Sequence, residues 1–590
     1  MGSTFAEKVL GAPAGAIVFR KPDLILTHDN TSSIFNTFKK MGGVNLHDPD
    51  QALVVLDHNA PPTDAKLATQ YQNIREIVKD QGIKKFHDAG EGICHQIMAE
   101  YAKPGMIIVG SDSHTCTAGA FNAFAAGIDR TESAGIWKKG ETWFLVPDSV
   151  RITLTGKLRP GVYAKDLSLL LIGLIGSDGG NYLSLEFHGP GVSSLGISER
   201  MTLTNLASEM GAKNAVFEAD QVLQEFLGTP MDGLWADPDA GYVREIQVNL
   251  DEVVPLVAAP HLVDHVKTVA EVAGTKIQEG LIGTCTNGRI EDLRVAAKIL
   301  EGRRVYPGFQ LLVVPASKKI YLQAIREGLV TTFLESGATI LSSSCGPCLG
   351  TGQGIPADGF TVISTANRNF KGRMGNPKAE IYLASPATVA ITAIHGEITD
   401  PSGISGVASF ETGRPMGKTP EIPEGEDRYF NGVWNYADQD NLNTDQMFAG
   451  NLTYSVLSSD APAIVPHLFK GFDPAFSSRV KSGDLIIAGD NFGCGSSREH
   501  PAVGLAHAGV KAVLVKSVNR IFYRSAINQG LVLIVHREAV EAYKPGDHLE
   551  INLRKGTIDL EGKVFRFEPL PEKLMEVLES KGLVNWIKEH

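Results

Sequence analysis

Three of the six cysteines lie in two short polar loops of this 590-residue chain. Cys345 and Cys348 form a C-x-x-C pair within SSSCGPCLGTGQG, and Cys285 stands upstream in GLIGTCTNGRIED. Each follows a short apolar run, as is typical of a loop after a buried strand. Three thiolates can ligate three corners of a four-iron cluster and leave the fourth iron open to another ligand. An open iron is a Lewis acid, so the spacing favours catalysis over electron transfer.

Two other interpretations of the C-x-x-C pair stay open at this point. A redox pair usually opens a helix in a thioredoxin-like unit, whereas LGTGQG follows this one. A zinc site needs a fourth soft ligand, and the sequence has no second C-x-x-C. The remaining cysteines lie in loops among other polar groups; they are Cys94, Cys116 and Cys494.

Aspartate–histidine combinations follow two predicted strands. Asp57 and His58 end the run ALVVLDHN, and Asp112 and His114 follow MIIVGSDSHT. A fifth residue, His95, lies in the glycine-rich segment GEGICHQIMAE. In open α/β sheets, reactive groups collect beyond the carboxyl ends of strands. A histidine held by a carboxylate can transfer a proton, although each of these residues taken singly could equally be a helix cap or a core residue.

Two further loops could bind an anionic substrate. Arg368 and Arg373 lie in STANRNFKGRMGNP, where two guanidinium groups could clamp a carboxylate; a solvated basic loop is the alternative. Ser496, Ser497 and Arg498 lie in GDNFGCGSSREH, after the predicted strand Leu485–Ala488, and are predicted to open a helix. A helix N-terminus with an arginine binds anions, and a serine there could act as a base. The segment SSRE could also be an ordinary capping box.

The elements that position these loops are predicted from hydrophobic periodicity. Apolar runs of about five residues, bounded by polar or glycine residues, alternate with amphipathic stretches such as 64–79 and 292–301. This pattern indicates an α/β protein with buried parallel strands. Residues 401–440 are rich in Gly, Pro, Glu and Asp. We interpret them as a linker between a body of about 400 residues and a C-terminal domain of about 150; an ordered surface excursion is the alternative.

Length and composition limit the class of protein. The length suggests roughly four domains, and 43% apolar with 21% charged residues is typical of a globular chain. The net charge of −12 disfavours nucleic-acid partners. Six cysteines are too few for a disulfide framework and fit a reducing compartment. Neither a basic leader nor an apolar run of about 20 residues occurs, so we expect a soluble, cytoplasmic protein without a membrane partner.

Taken in order along the chain, the motifs resemble those of the aconitase superfamily of iron–sulfur hydro-lyases. The resemblance covers nearly the whole sequence through DHN, GICHQ, GSDSHT, IGTCTN, CGPCLG, NRNFKGRMG and NFGCGSSREH. It implies three α/β domains around an iron–sulfur cluster, at 1–130, 131–270 and 271–400, with a linker at 401–440 and a C-terminal swivel α/β domain at 441–590. Details resemble 3-isopropylmalate dehydratase and homoaconitase, with large- and small-subunit motifs fused in one chain.

The resemblance also implies a role for each matching residue. Cys285, Cys345 and Cys348 would ligate a [4Fe-4S] cluster with one iron not bound by cysteine, and Ser496 would be the general base. The implied acid and hydrogen-bonding pairs are Asp57 with His58, His95 with Glu209, and Asp112 with His114. Asn205 and Asn367 would lie beside the cluster. The implied substrate-binding residues are Arg368, Arg373, Ser497, Arg498 and Asp445.

The implied reaction is isomerisation of a 2-hydroxy di- or tricarboxylic acid by dehydration and rehydration, most like that of 3-isopropylmalate dehydratase or homoaconitase. Aconitate hydratase is the enzymatic alternative, and an iron-sensing RNA-binding apo-protein, disfavoured by the charge, is the other. We expect a small polycarboxylate as partner and a monomer or small homo-oligomer. Two departures concern the substrate: Ile34 stands where aconitases place a glutamine, and loop 450–455, with Asn451, Leu452, Thr453 and Tyr454, lacks the usual arginine.

Overall fold

The computed structural model describes residues 2–402, 421–422, 426–453 and 456–590. Helices alternate with mostly parallel strands throughout, which confirms the α/β class. We call residues 2–402 the body and residues 426–590 the C-terminal domain. Among the described residues, no helix combines the length and the apolar character needed to cross a bilayer.

The first sheet of the body has five parallel strands whose side chains are mostly buried on both faces. Its strands, in spatial order, are Lys85–His87, Ala52–Val55, Leu24–Thr27, Ile107–Gly110 and Phe124–Gly127. The α-helices of this part are Phe5–Leu10, Thr31–Lys40, Ala65–Asp80, Cys94–Met98 and Arg130–Lys139. The predicted helix at 64–79 is confirmed, and Asp64 caps it by accepting from the Leu67 amide. A two-stranded antiparallel ribbon pairs Ile17–Arg20 with Thr142–Leu145.

The second sheet of the body has four parallel strands. They run in the order Asn214–Phe217, Ser184–His188, Ser149–Thr155 and Arg244–Asn249. The α-helices between them are Ala164–Ile175, Ile197–Leu206 and Gln221–Leu227. Aromatic stacking of Phe187 on Phe217, with ring centroids 4.4 Å apart, helps to join the two strands that carry them.

The third sheet of the body has seven strands, of which five are parallel, including the two strands that precede the cysteine loops. Its order is Val266–Thr268, Leu256–Ala258, Glu380–Ala384, Thr361–Ser364, Glu279–Gly283, Gln310–Val314 and Thr339–Ile340. Its α-helices are Val269–Val272, Thr284–Asn287, Ile290–Leu300, Lys318–Arg326, Leu329–Ser336 and Pro386–His395. The strand Leu256–Ala258 pairs antiparallel with both Val266–Thr268 and Glu380–Ala384. Segment 256–268 is therefore part of the third sheet, although the boundary implied by the resemblance places it in the second domain.

The C-terminal domain has a five-stranded sheet and a three-stranded antiparallel meander. The five strands are Tyr429–Phe430, Val433–Tyr436, Leu485–Ala488, Ala512–Val515 and Val532–Val535, and the meander is Leu549–Asn552, Thr557–Leu560 and Lys563–Arg566. The α-helices are Thr444–Met447, Ala461–Ile464, Phe476–Arg479, His500–His507, Arg520–Asn528, Arg537–Ala542, Glu572–Glu579 and Leu583–Glu589.

Part of the predicted linker is a strand pair of the C-terminal sheet. Residues 403–420 and 423–425 lie outside the described residues, but Tyr429–Phe430 and Val433–Tyr436 form an antiparallel hairpin. Its two-residue loop is Asn431-Gly432, with φ of 46° and 84°, which are the positive angles of the tight hairpin turn that Asn-Gly favours. The sequence NG between two aromatic runs was the signal for this hairpin, and the linker interpretation overlooked it.

Buried polar contacts dock the C-terminal domain on the body. Arg524 donates to Glu132, and both side chains are only 1% exposed. The same guanidinium lies 3.6 Å from the Trp143 ring centroid. Asn528 donates to Asp129 at 2.7 Å. A buried ion pair offsets the cost of removing its charges from water only when the two groups are well aligned. These contacts therefore favour one relative position of the body and the C-terminal domain.

Candidate active site

The three predicted cysteines line one cavity at the junction of the body and the C-terminal domain. Cys285 lies on the short helix Thr284–Asn287, Cys345 directly precedes the turn Gly346–Leu349, and Cys348 lies within that turn. Before Cys285 the chain turns at Gly283, where φ is +133° and a Cβ atom would lie 2.1 Å from the Val314 carbonyl oxygen. Only glycine therefore permits this approach of the loop to the sheet.

Two asparagine side chains form hydrogen bonds with the cysteine sulfurs. Asn205 donates from Nδ2 to the Cys285 sulfur at 3.4 Å, and Asn367 does the same at 3.5 Å. The Cys348 thiol in turn donates to Asn367 Oδ1 at 3.7 Å. Burial is the main cause that raises the pKa of the Cys285 thiol to about 12, and it also raises the pKa of Cys345. A soft metal centre would have to displace these protons, since thiolates are the ligating form.

The histidines and carboxylates form a connected hydrogen-bonded chain on the body side. His58 Nδ1 lies 2.7 Å from Asp57 Oδ1, and His58 Nε2 lies 3.4 Å from Asp112 Oδ2. The other oxygen of Asp112 lies 2.8 Å from His95 Nε2. Burial would raise the pKa of Asp112, but the charges and hydrogen bonds of the three surrounding histidines outweigh it and hold the pKa well below the usual value.

The pairing of these groups differs in part from the one that the resemblance implied. Glu209 accepts from His114 Nε2 at 2.8 Å and from Arg368 Nε at 3.0 Å, whereas His95 pairs with Asp112. The reason is the position of Glu209. The turn Ala207–Met210 places its carboxylate between Arg368, which follows a strand of the third sheet, and His114, which follows a strand of the first sheet. Asp57 with His58 is as expected. Asp112 and His114 are also in contact, since Asp112 Oδ1 accepts from the His114 amide at 2.8 Å and lies 3.3 Å from His114 Nδ1.

His28 and Asp29 complete the site, although the sequence interpretation had not selected them. They follow the strand Leu24–Thr27 in the segment THDN. The His28 ring stacks on His58 with centroids 3.8 Å apart, and burial lowers the pKa of His28 to about 3, so its ring is neutral. Asp29 accepts from the backbone amides of residues 57, 58 and 59 and from Tyr71. Its oxygens are occupied by these donors, so Asp29 shapes the Asp57 loop rather than binding a ligand.

Arginines enter the cavity from three separate elements. Arg368 and Arg373 lie in the loop after Thr361–Ser364, Arg498 in the C-terminal domain, and Arg130 at the start of its helix. Asp445 holds Arg498 by accepting from its Nη2 at 2.7 Å. Neither Asp445 nor Glu209 is among the residues that line the cavity. Each carboxylate therefore contacts its arginine, Arg498 or Arg368, on the side away from the cavity.

The serine loop has a different local structure from the predicted helix start. The helix begins only at His500, and its cap residue, Glu499, makes no capping hydrogen bond; the capping-box alternative for SSRE is therefore wrong. Gly493 and Gly495, with φ of 73° and 97°, turn the chain so that Ser496 and Ser497 precede the helix as an open loop. Ser496 Oγ is buried and has no hydrogen-bond partner in the described part of the chain.

The cavity is lined almost entirely by polar side chains. Loop 450–455 contributes Gly450 and Thr453, while Tyr454 and Ser455 lie outside the described residues. The lining residues are His28, Asn30, His58, His95, Ser111, Asp112, His114, Arg130, Thr284, Cys285, Cys345, Cys348, Leu349, Asn367, Arg368, Arg373, Gly450, Thr453, Ser496, Ser497 and Arg498. Of the predicted site residues, Asp57, Asn205, Glu209 and Asp445 lie one layer behind this surface.

The described site thus combines an α/β body that carries three cavity-lining thiols with a serine and an arginine from a separate domain. The chain belongs to the aconitase family (aconitate hydratase), whose sequence profile matches residues 5–396, and residues 436–539 match the aconitase C-terminal domain. Family membership makes it a hydro-lyase.

Several named proteins are similar to parts of this chain. A 3-isopropylmalate dehydratase large subunit from Thermotoga maritima is 45% identical and covers 68% of this chain and 99% of its own length. A probable methanogen homoaconitase large subunit from Methanosarcina mazei is 46% identical over 65% of this chain and 99% of its own. The crystal structure of a 3-isopropylmalate dehydratase from Methanocaldococcus jannaschii is 37% identical, covers 27% of this chain and 91% of that one, and has a TM-score of 0.24.

Proposed function

We propose that the chain isomerises a 2-hydroxy di- or tricarboxylic acid by [4Fe-4S]-dependent dehydration and rehydration. The observation that carries this proposal is the cavity itself. It unites three thiols and a histidine–carboxylate chain from the body with the unpartnered Ser496 hydroxyl of the C-terminal domain. A reaction that removes a proton and a hydroxide from adjacent carbons needs a base for the proton and an acid for the hydroxide.

The cavity fits a cluster in its donor chemistry. Cys285, Cys345 and Cys348 would be the ligands, and the Asn205 and Asn367 amides already donate to a sulfur, as hydrogen bonds to cluster thiolates commonly do. The described lining holds no fourth cysteine. When bound, such a cluster supplies a Lewis-acidic iron for the leaving hydroxyl.

Ser496 is the proposed base on the C-terminal side. Its Oγ has no protein partner in the described structure, so it is available to a substrate C–H. A serine is a weak base in water, but the nearby Arg498 guanidinium favours the alkoxide. The enolate-like charge that develops on the substrate would be stabilised by Arg368 and Arg373, which line the same cavity.

The histidine chain on the body side is the proposed acid. Asp57, His58, Asp112 and His95 are linked by the contacts of 2.7, 3.4 and 2.8 Å given above. A proton held in this chain can be passed to the departing hydroxyl and recovered when water adds back. The neutral His28 ring stacked on His58 restricts the orientation of that ring.

We further infer that one chain carries both parts of an enzyme that some relatives divide between subunits. The relatives named large subunits are matched over 99% of their length while covering 65–68% of this chain. The remaining part contains the match to the aconitase C-terminal domain. The buried contacts of Arg524 with Glu132 and of Asn528 with Asp129 support joint function of the two parts.

The test is a hydration assay on anaerobically reconstituted protein. cis-Aconitate, cis-homoaconitate, isopropylmaleate and dimethylmaleate are supplied in parallel, and loss of the enoate absorbance is followed. We expect hydration of at least one acid, dependent on iron and strongly lowered in Ser496→Ala. A protein with a full iron content that hydrates none of the four acids would contradict the proposal.

A further inference from the structure

A fully buried lysine lies behind the cysteines, and the proposed reaction gives it no role. Lys165 is the second residue of the helix Ala164–Ile175 and is 0% exposed. Its ammonium group donates to the backbone carbonyls of Thr365 and Ala366 at 2.9 and 2.6 Å. Burying a charge among neutral carbonyls costs free energy unless an anion compensates it, so we expect a negative charge close to Lys165.

The carboxylates around Lys165 do not supply this charge. In the described part of the chain, Lys165 makes no ion pair with a carboxylate. The neighbouring Asp166 accepts instead from the backbone amides of residues 163 and 256, both at 2.9 Å, and burial raises the pKa of its carboxyl group to about 7. Glu209 is already paired with an arginine at 3.0 Å. The compensating anion must therefore be a group of another kind.

The backbone segment that Lys165 binds leads directly to the cysteines. Asn367 follows the two carbonyls and contacts two sulfurs, because its Nδ2 donates to Cys285 at 3.5 Å and its Oδ1 accepts from Cys348 at 3.7 Å. The same segment also forms hydrogen bonds of 2.9 and 3.0 Å with the backbone two residues before Cys285. Lys165 therefore holds a segment that joins two of the proposed ligand cysteines.

The electrostatics of Lys165 point to the same two cysteines. Burial is the largest cause that lowers the pKa of Lys165, to about 7, and the negative charges of Cys285 and Cys348 are the next causes, which raise it. Both sulfurs are poorly accessible to water, since Cys285 is 7% and Cys348 is 5% exposed. Opposite charges attract each other more strongly in such a poorly solvated region than in water. The thiolate forms of these cysteines are therefore anions that can compensate Lys165.

Two arginines also lie near these cysteines, but each has another task. Arg289 donates to the Cys285 carbonyl at 2.9 Å, and its guanidinium lies 3.9 Å from the Asp292 carboxylate. Arg373 lines the cavity, where the proposed reaction uses it to stabilise charge on the substrate. Lys165 differs from both because it has no carboxylate partner in the described structure and does not line the cavity. Its charge thus lies on the cysteine side of the site and not on the substrate side.

We propose that the buried positive charge of Lys165 balances the cysteine-bound cluster, and that it thereby helps to retain the cluster and raises its reduction potential. This assignment rests on the proposed function, since it takes Cys285, Cys345 and Cys348 as cluster ligands. Net charge and burial are among the properties that set the reduction potential of an iron–sulfur cluster. Reduction adds one more negative charge to the site, so a nearby ammonium group favours the reduced form.

The test compares three variants with the unaltered reconstituted chain. Lys165→Met removes the charge and the donors, Lys165→Gln removes the charge but keeps N–H donors for the two carbonyls, and Lys165→Arg keeps both. The cluster is titrated anaerobically with mediators and followed by electron paramagnetic resonance. At a given potential, the ratio of reduced to oxidised cluster should fall about tenfold in Lys165→Met and Lys165→Gln, which is about 59 mV for a one-electron couple.

Cluster retention supplies a second readout that also needs no turnover. Iron release to EDTA should be at least about tenfold faster in both uncharged variants, as for loss of one partner of a buried charge pair. Lys165→Arg should stay close to the unaltered chain in potential and in iron release. If Lys165→Met does not fold, the comparison of Lys165→Gln with Lys165→Arg decides the question.

The matched control is Lys213→Met. Lys213 is also 0% exposed, and its Nζ lies 5.5 Å from the Tyr182 ring centroid without a hydrogen-bond partner in the described structure. The charges that most affect it are those of Arg524 and Arg520, so this change should alter neither the potential nor the release of iron.

The outcomes separate this assignment from the proposed function. An unchanged potential in Lys165→Gln, or an equal shift in Lys165→Arg, would overturn the assignment and leave the proposed reaction intact. The expected shifts in a chain that hydrates none of the four acids would instead establish the role of Lys165 and overturn the proposed reaction. A chain that binds no iron–sulfur cluster would overturn both.

Discussion

Replacing Glu209 with glutamine tests how much the buried polar layer behind the cavity contributes to stability. Glu209 is 5% exposed and accepts from both His114 and Arg368. Burial alone would raise the pKa of its carboxyl group, but the Arg368 charge and the His114 hydrogen bond lower it from 4.5 to about 2. A difference of about 2.5 pKa units corresponds to about 3 kcal/mol of folding free energy at neutral pH.

The sign of the pH dependence follows from this lowered pKa. The folded protein binds the proton less readily than the unfolded chain, so the contribution of Glu209 is complete above pH 4.5 and is lost as the pH falls towards 2. Glu209→Gln should therefore lower the free energy of unfolding by about 3 kcal/mol at pH 7. The difference from the unaltered protein should shrink steadily below pH 4.5.

The assay is urea unfolding of the cluster-free proteins at pH 7, 4.5 and 3.5. A matched control is Glu327→Gln, because Arg294 likewise lowers the pKa of Glu327 to about 2 although that pair is exposed on the surface. Solvent screening should make the control change small. Equal destabilisation by the two changes, or a Glu209→Gln effect that does not vary with pH, would refute the argument that the buried contacts with Arg368 and His114 make this carboxylate stabilising.

Three further changes test the candidate site and the contact between the body and the C-terminal domain. Ser496→Ala should lower kcat about 10²- to 10⁴-fold with little change in KM, as for loss of a general base; unaltered kcat, measured beside the Ser193→Ala control, would remove Ser496 from this role. Cys345→Ser should abolish the iron–sulfur absorption while Cys494→Ser retains it, and an intact spectrum in Cys345→Ser would disprove the ligand set. Burial, Glu499 and Glu132 raise the pKa of Asp129 to about 7, so its contribution to stability falls as the pH rises from about 4 to about 7. Asp129→Asn should therefore be more heat-stable than the unaltered protein at pH 8 and nearly equal to it at pH 4, and a pH-independent difference would count against the raised pKa.

The sequence predicts the site best where a reactive residue directly follows a strand. Asp57 and His58 follow Ala52–Val55, Asp112 follows Ile107–Gly110, and Cys285 follows Glu279–Gly283. A buried apolar run of five residues and the polar loop after it are both local signals, so parallel strands bring such residues to one edge. The local pattern marked them as candidates, and the order of the motifs along the chain, through the family resemblance, implied their roles.

The contacts between distant segments could not be predicted in this way. Glu209 pairs with His114, 95 positions earlier, and with Arg368, 159 positions later. Arg130, at the start of its helix, lines the cavity beside residues 128 and 131, which contact Ser497 and Glu499 of the C-terminal domain. Such pairings depend on how separate sheets pack, which hydrophobic periodicity does not encode.

The backbone of the serine loop shows a further limit of local patterns. SSREH has the composition of a capped helix start, yet the helix begins at His500 because two glycines with positive φ turn the preceding chain. The helix-capping propensity of serine favours a helix start at SSRE. The backbone of Gly493 instead packs against the Phe522 ring, where a Cβ atom would lie 2.3 Å from the ring, and this packing favours the open loop. The open loop is what leaves Ser496 available to a substrate.

The most direct test of the central claim is the dependence of turnover on one iron of the four. The reconstituted chain is oxidised until about one iron per chain is released, and iron content, electron paramagnetic resonance and hydration rate are measured together before and after ferrous iron is added back. If three cysteines leave one position open to substrate, a three-iron form should remain bound but inactive, and activity should return with the fourth iron. Full hydration activity in the three-iron form, or in protein that binds no iron, would contradict the account.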